Sequence, residues 1–176
     1  VNIGNTIGNT IGLPAAPITF TATAGLGGTI NGITMTSVSP TGISIQNNTV
    51  QSITTGGVAG AAFNLTGINT AGSAVYTITN NTIGHAVVAN SIAIGTLGVS
   101  AFASTFTGIN STATGVPVTI GTLGASNTVQ NITMNATAAN VFQGIATSTV
   151  ANVNINYNII KGIRYAAVGA HASTFT

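Results

Sequence analysis

Very few side chains in this sequence could take part in acid–base or metal chemistry. Among 176 residues there are two cations, two histidines and no Asp, Glu or Cys. Glycoside hydrolysis ordinarily needs two carboxylates, and calcium sites usually include them. Zinc needs three or four protein ligands, and only His85 and His171 are present. A Ser–His pair would lack the acidic partner that orients a catalytic histidine. We therefore expect no enzymatic activity, no metal and no cofactor.

The two histidines and the two cations have simpler interpretations. His85 follows an Asn-Asn-Thr-Ile-Gly turn and is expected to be a surface turn residue. His171 replaces a phenylalanine of an earlier motif copy, which favours a partly buried strand position or a subunit junction. Lys161 and Arg164 flank Gly162 and are expected in a solvated turn. Two cations are too few for a nucleic-acid surface, which needs several phosphate contacts.

The composition predicts an all-β protein. The apolar fraction is 44% and the mean hydropathy is +0.55, with Ile, Val and Ala as the main apolar residues. β-Branched residues suit a pleated surface, while Gly and Asn suit turns. The most apolar stretch, 86–103, is about long enough to cross a bilayer but contains polar residues and has no Lys or Arg anchors. We therefore expect no membrane span.

A first motif recurs along the chain, and internal repeats bear directly on the fold. It reads I-Q-N-N-T-V-Q-S-I at 45–53, I-T-N-N-T-I-G-H-A at 78–86 and I-N-Y-N-I-I-K-G-I at 155–163, with a degenerate copy at 125–132. Its shared asparagines are separated by 33, 46 and 31 residues. They predict a structural Asn/Thr ladder of Asn48, Asn81, Asn127 and Asn158 with Thr49, Thr82 and Thr128.

A second motif alternates with the first. It reads F-N-L-T-G-I-N at 63–69, T-F-T-G-I-N at 105–110 and V-F-Q-G-I-A at 141–146. Its glycines, Gly67, Gly108 and Gly144, are 41 and 36 residues apart and are predicted to be repeat turns.

Two motifs recurring in step predict a right-handed parallel β-helix, with irregular coils of about 30 to 46 residues. Segments such as Val153-Asn-Ile-Asn alternate with the period of two that a strand requires. In-register stacking places like residues about 4.8 Å apart, which disfavours charges and allows Asn and Thr to hydrogen-bond along a column. The alternative is a β-sandwich, as in a pilus-like subunit.

The ends of the sequence resemble its interior. Residues 170–176 match residues 101–107 at six of seven positions, and neither end carries an obvious polar cap. We expect residues 1–176 to form one solenoid segment, either within a longer protein or joined head-to-tail in a filament. The candidate assembly ends are Val1, Asn2, Ile3, Phe175 and Thr176.

The turns N-N-T-[IV] at 47–50 and 80–83, with T-G-I-N at 66–69 and 107–110, resemble the repeat regions of very large secreted bacterial surface proteins. These include adhesins of Bacteroidetes-type gliding and filament-forming bacteria. The resemblance implies a β-helical fold and an extracellular, cell-attached role in adhesion or fibre formation. It transfers no functional residue, because the family has no shared catalytic motif.

The favoured function is a structural or adhesive extracellular fibre that binds further copies of itself or flanking repeats. A donor-strand-exchanged pilus subunit is the first alternative, with V-N-I-G-N-T-I-G-N-T-I-G as the donated strand. An ice-binding solenoid is the second, although coil lengths are expected to vary too much for one flat threonine face. Its Thr-x-Thr positions are Thr19/Thr21/Thr23, Thr34/Thr36, Thr77/Thr79, Thr105/Thr107 and Thr147/Thr149. The sequence identifies no surface or carbohydrate target.

Overall fold

The computed structural model describes residues 1–23, 25, 27–38, 41–57, 61–95, 103–114, 116–148, 152–166 and 174–175. These residues form eighteen strands and no helix. In chain order the strands are β1 (Asn2–Ile3), β2 (Thr10–Ile11), β3 (Ile18–Ala22), β4 (Gly28–Ser37), β5 (Ile43–Gln46), β6 (Thr49–Val50), β7 (Ile53–Gly57), β8 (Phe63–Gly72), β9 (Tyr76–Thr79), β10 (Thr82–Ile83), β11 (Ile92–Ile94), β12 (Thr105–Ala113), β13 (Val118–Ile120), β14 (Thr128–Met134), β15 (Val141–Thr147), β16 (Val153–Ile155), β17 (Ile159–Tyr165) and β18 (Thr174–Phe175).

The strands assemble into three sheets that the chain visits in a fixed order. Sheet one contains β1, β5, β9, β13 and β16; sheet three contains β4, β8, β12, β15 and β18. Sheet two contains the other eight strands. The long strand β14 pairs with both short strands β10 and β11, and β17 pairs with β14 along its length. We call the five passages coil 1 (β1–β4), coil 2 (β5–β8), coil 3 (β9–β12), coil 4 (β13–β15) and coil 5 (β16–β18).

Every strand pair among the described residues is parallel. In sheet one, Asn2 pairs with Ser44, Ser44 with Thr77, Thr77 with Thr119 and Thr119 with Asn154, so successive coils are 42, 33, 42 and 35 residues long. β-Sandwiches of the immunoglobulin type consist of antiparallel sheets. The all-β, parallel arrangement agrees with the predicted class and is compatible with a β-solenoid.

The core consists of columns of like residues, one from each coil. Sheet one contributes Ile45, Ile78 and Ile120, all fully buried, and Ile3 and Ile155 occupy the same column at its two ends. Alternate residues of each strand point inward. A chain with one apolar residue at every second strand position therefore fills the space between the sheets with isoleucine and valine.

Sheet three stays in register although coil lengths differ. β8 pairs with β4 from Gly28 to Ser37 and with β12 from Thr105 to Ala113. The loops absorb the difference in length, so the inward rings of Phe106 and Phe142 stack with centroids 5.5 Å apart. The Thr-x-Thr positions nevertheless lie on all three sheets: on β3 of sheet two, on β9 of sheet one, and on β4 and β12 of sheet three, while Thr149 lies outside the described residues.

Within the described part of the chain, no helix has the length and apolar character needed to span a membrane. The stretch 86–103 contributes strand β11 to sheet two, and its residues 96–102 lie outside the described ranges.

Candidate functional site: the asparagine ladder and the two end faces

A column of asparagines lies at the turn between sheet one and sheet two. The backbone N–H and Nδ2 of Asn48 both donate to Oδ1 of Asn81, each at 3.0 Å. The same two groups of Asn81 donate to Oδ1 of Asn127, again at 3.0 Å. Nδ2 of Asn127 donates to Oδ1 of Asn158 at 3.0 Å. The four predicted ladder asparagines are thus brought together, and each of the first three donates to the next coil.

The ladder also fastens each turn to the neighbouring sheet-one strands. Nδ2 of Asn81 donates to the carbonyl of Ile45 in the preceding coil at 2.8 Å and to that of Thr79 at 3.0 Å. Asn48, Asn81 and Asn127 are each 1% exposed. A buried amide whose donors and acceptor are all used stabilises a turn that would otherwise leave backbone groups unpaired.

The residue before the ladder asparagine bends the chain. Asn47, Asn80 and Tyr157 have φ of 61°, 54° and 56°, in the left-handed region that asparagine tolerates better than most residues. This explains the Asn-Asn pair of the repeat in coils 2 and 3: the first asparagine makes the bend, and the second forms the ladder.

The sequence pattern missed a fifth member, Asn9. Its backbone N–H and Nδ2 donate to Oδ1 of Asn48 at 3.0 and 2.9 Å. A signal was present, because the tetrapeptide Asn-Thr-Ile-Gly at 9–12 repeats that at 81–84. The same tetrapeptide also occurs at 5–8, immediately before, which obscured the register.

A threonine column runs beside the asparagines. Thr49 pairs with Thr82, and Thr82 with Thr128, so the three predicted threonines stack in register. Thr10 extends the column into coil 1, and Ile159 ends it in coil 5.

The second-motif glycines are not turns, which corrects the sequence prediction. Gly67, Gly108 and Gly144 lie inside the strands β8, β12 and β15. A Cβ on Gly108 would lie 2.4 Å from the carbonyl oxygen of Gly144 and 2.6 Å from Cγ2 of Val129. A glycine inside a strand marks such a close approach of another group. Gly32 of β4 occupies the equivalent position in coil 1.

The stack of coils has two ends, here called the head face and the tail face, beside which the described residues place no further strand. The head face is formed by coil 1, and its exposed apolar side chains include Val1, Ile7 and Phe20. Of the predicted assembly ends, Val1, Asn2 and Ile3 lie at this face.

The tail face is formed by coil 5. Its exposed apolar side chains include those of Ile155, Tyr157, Ile159 and Ile160. Phe175 lies in β18 at this edge of sheet three, while Thr176 is outside the described residues.

Lys161 and Arg164 lie in strand β17 on the tail face, and not in the predicted turn. Both are exposed, and they pair in register with Gln130 and Thr133 of β14. Gly162, with φ of 64°, sits within the strand beside Asn131, whose φ is 56°. The sequence around Gly162 resembled a turn because β14 and β17 both bend at this position, although both strands continue beyond it.

His85 lies in the loop between β10 and β11. Its Nδ1 accepts hydrogen bonds from the backbone N–H groups of Val87 and Val88, at 3.1 and 2.9 Å, which closes this loop. His171 is outside the described residues. The described ranges contain no group of three His, Cys, Asp or Glu side chains that could hold a metal ion.

Burial raises the pKa of the phenols of Tyr76 and Tyr165 above the usual value. The Tyr76 side chain is fully buried, and its hydroxyl donates to the carbonyl of Ala71. The Tyr165 hydroxyl donates to the carbonyl of Thr174 at 2.7 Å. Both phenols therefore serve as neutral donors that join sheet three to its neighbour.

A groove of about 440 Å³ opens between β3 and β4 at the head face. Phe20, Ile30 and Phe63 supply its apolar lining, and threonines supply its side-chain hydroxyls. The site as a whole offers uncharged hydrogen-bonding groups, apolar columns and strand edges beside which the described residues place no further strand. Strand edges of this kind are suited to pairing with another strand.

No protein-family model matches this chain, and neither a curated protein nor a solved structure matches it.

Proposed function

We propose that this chain is a right-handed parallel β-helix that acts as a structural segment of an extracellular fibre and associates end to end. Parallel strands joined by crossovers within one sheet are right-handed in about 98% of cases. Five coils that visit three parallel sheets in the same order favour this geometry.

The observation that carries the proposal is the match between the head and tail faces. In four columns, coil 5 and coil 1 carry the same residue. The columns end in Ile3 and Ile155, in Ile11 and Ile160, in Ile18 and Ile163, and in Asn9 and Asn158. A tail face placed on the head face of a second copy would continue all four columns without a mismatch.

The hydrogen-bond polarity of the ladder matches as well. In coils 1 to 4, the asparagine donates to the Oδ1 of the asparagine in the next coil. At a head-to-tail joint, Asn158 supplies the donors and Asn9 of the next copy supplies Oδ1. Unpaired strand edges are templates for pairing with another chain, which provides the driving force.

The extracellular assignment rests on composition and on the resemblance of the turn motifs to secreted surface proteins. A chain without cysteine is insensitive to thiol oxidation, which suits an oxidising environment. The near absence of charge suits stacked columns more than a freely soluble surface. An adhesive role would require a target-binding surface in addition to the end faces.

The register of the joint can be tested with introduced cysteines, because the native chain has none. Head-to-tail stacking places Asn2 of one copy beside Asn154 of another, about 4.8 Å apart, within the range that a disulfide spans. Under oxidising conditions, an Asn2→Cys/Asn154→Cys variant should give a ladder of covalent multimers. Either single-cysteine variant should give no species larger than a dimer.

Electron microscopy of the native chain should show rods with a repeat near 4.8 Å along the axis in diffraction. A chain that stays monomeric at all concentrations, with no disulfide ladder from the double variant, would overturn the proposal. A fibre of the double variant that forms no disulfide between positions 2 and 154 would overturn the proposed register.

A further inference from the structure

We infer that Lys161 and Arg164 exclude the tail-to-tail joint and so restrict a fibre to head-to-tail joints with at most one head-to-head joint. The inference rests on the proposed end-to-end association. Its basis is the placement of charge: the sequence contains two cationic side chains, and both lie three residues apart in β17, on the tail face.

The residues that share a column with the two cations in the other coils are all neutral. The Arg164 column contains Thr19, Thr54, Ala93 and Thr133 in coils 1 to 4. Lys161 follows Gln130, and coil 1 carries Gly12 at the corresponding place after Ile11. At a head-to-tail joint Arg164 would face Thr19, and Lys161 would face Gly12. Both cations are exposed in this chain, and the residues that this joint places opposite them carry no charge.

A tail-to-tail joint has a different charge pattern. A two-fold joint is isologous, so the same patch meets itself and the two β17 strands run antiparallel. With the axis between Gly162 and Ile163, Lys161 of each copy faces Arg164 of the other. Four cations then lie on adjacent strands, at separations shorter than the screening length of about 10 Å in 0.1 M salt. No carboxylate side chain exists in the sequence to offset the repulsion.

Exclusion of one joint is enough to fix the orientation at almost every joint of a fibre. A fibre without polarity has to alternate head-to-head and tail-to-tail joints. Without tail-to-tail joints, a head-to-head pair grows only by head-to-tail addition at its two tails. A fibre therefore contains at most one head-to-head joint and is polar on either side of it. The charges on the edge strand β17 thus prevent tail-to-tail pairing, in the way that charged edge strands of other sheets prevent unwanted pairing.

Charge changes at Thr19 test whether Arg164 faces this residue across the joint. Thr19 is exposed on β3, so the substitution leaves the core intact. Thr19→Lys should weaken end-to-end association by roughly tenfold, which corresponds to about 1.4 kcal/mol. Thr19→Glu should strengthen it, and 1 M salt should remove most of both effects. Thr112→Lys is the matched control, since Thr112 is exposed on β12 in coil 3, away from both faces.

The polarity itself is tested by removing the cations. The Lys161→Gln/Arg164→Gln change is made in the Asn2→Cys/Asn154→Cys variant. Without the cations, tail-to-tail joints should form as well, and these joints do not bring position 2 next to position 154. The share of disulfide-linked joints should therefore fall by roughly half. Equal cross-linking with and without the cations, together with no effect of Thr19→Lys, would overturn this inference and leave end-to-end association intact. Failure of the parent double-cysteine variant to cross-link would instead count against the proposed function.

Discussion

Replacement of Asn81 by alanine tests how much the ladder stabilises the fold. Asn81 is 1% exposed and lies in coil 3, the middle coil. Its Oδ1 accepts the backbone N–H of Asn48, and its Nδ2 donates to the carbonyls of Ile45 and Thr79. Alanine removes both the acceptor and the donors while leaving the turn backbone in place.

The size of the effect follows from these contacts. A buried N–H left without an acceptor costs about 1–3 kcal/mol, and each lost hydrogen bond contributes about 0.5–1.5 kcal/mol. We expect Asn81→Ala to lower the free energy of unfolding by about 3 kcal/mol in total. Asn69→Ala is the control, because Asn69 is half-buried on the outer side of β8 and accepts one bond from Asn110. It should cost less than about 1 kcal/mol.

Urea denaturation followed by circular dichroism gives the free energies, and hydrogen exchange locates the loss. The amide of Asn48 should lose its protection in Asn81→Ala, because the acceptor is Oδ1 of Asn81. Asn158→Ala should cost less than Asn81→Ala in the monomer, since Asn158 has a ladder neighbour on one side only. Equal costs for Asn81→Ala and Asn69→Ala, or an Asn48 amide that stays protected, would refute the reasoning.

Three further perturbations address other parts of the fold. Gly108→Ala should lower the free energy of unfolding by about 2–4 kcal/mol in urea denaturation, because the new Cβ would clash with the Gly144 carbonyl and with Val129. Gly28→Ala is the control, since open space surrounds Gly28, and it should change that free energy by less than about 0.5 kcal/mol. Because burial raises the pKa of Tyr76, the folded state holds the phenolic proton more tightly than the unfolded state; stability should be constant below about pH 10 and fall above it, and Tyr76→Phe should reduce that fall in alkaline melts. Between about pH 5 and pH 2, where Asp and Glu titrate, the melting temperature should hardly change, and a fall of the size seen in carboxylate-rich domains would contradict this.

The sequence was sufficient for the strand class, the parallel pairing and four of the five ladder asparagines. These features depend on side-chain type at fixed spacing, and Asn48, Asn81, Asn127 and Asn158 recur at the same place in the first motif. The repeated strand motifs are recognisable in the sequence although the coil lengths differ, because the loops change length while the strands stay in register.

Two local features could not be derived from the sequence. Gly108 looked like a turn because glycine is common in turns, and its real cause is the approach of Val129 from a distant segment. Lys161 and Arg164 looked like turn residues because Gly162 lies between them. A glycine that bends a continuing strand cannot be separated from one that ends it without knowing where the neighbouring strand runs.

The position of the two cations also bears on why the other columns are neutral. In a parallel in-register stack, a residue in coils 2 to 4 has column neighbours about 4.8 Å away on both sides, whereas a residue of coil 5 has one neighbour within the chain. A charge in the middle of a column is therefore flanked twice by groups that displace its water, while Lys161 and Arg164 are flanked once, by Gln130 and Thr133. The tail face is where a charge costs least in the isolated chain, and it is also where a charge can discriminate between joints. A head-to-tail joint places the neutral residues Gly12 and Thr19 opposite these cations and is allowed. A tail-to-tail joint places the same two cations opposite them and is disfavoured by repulsion.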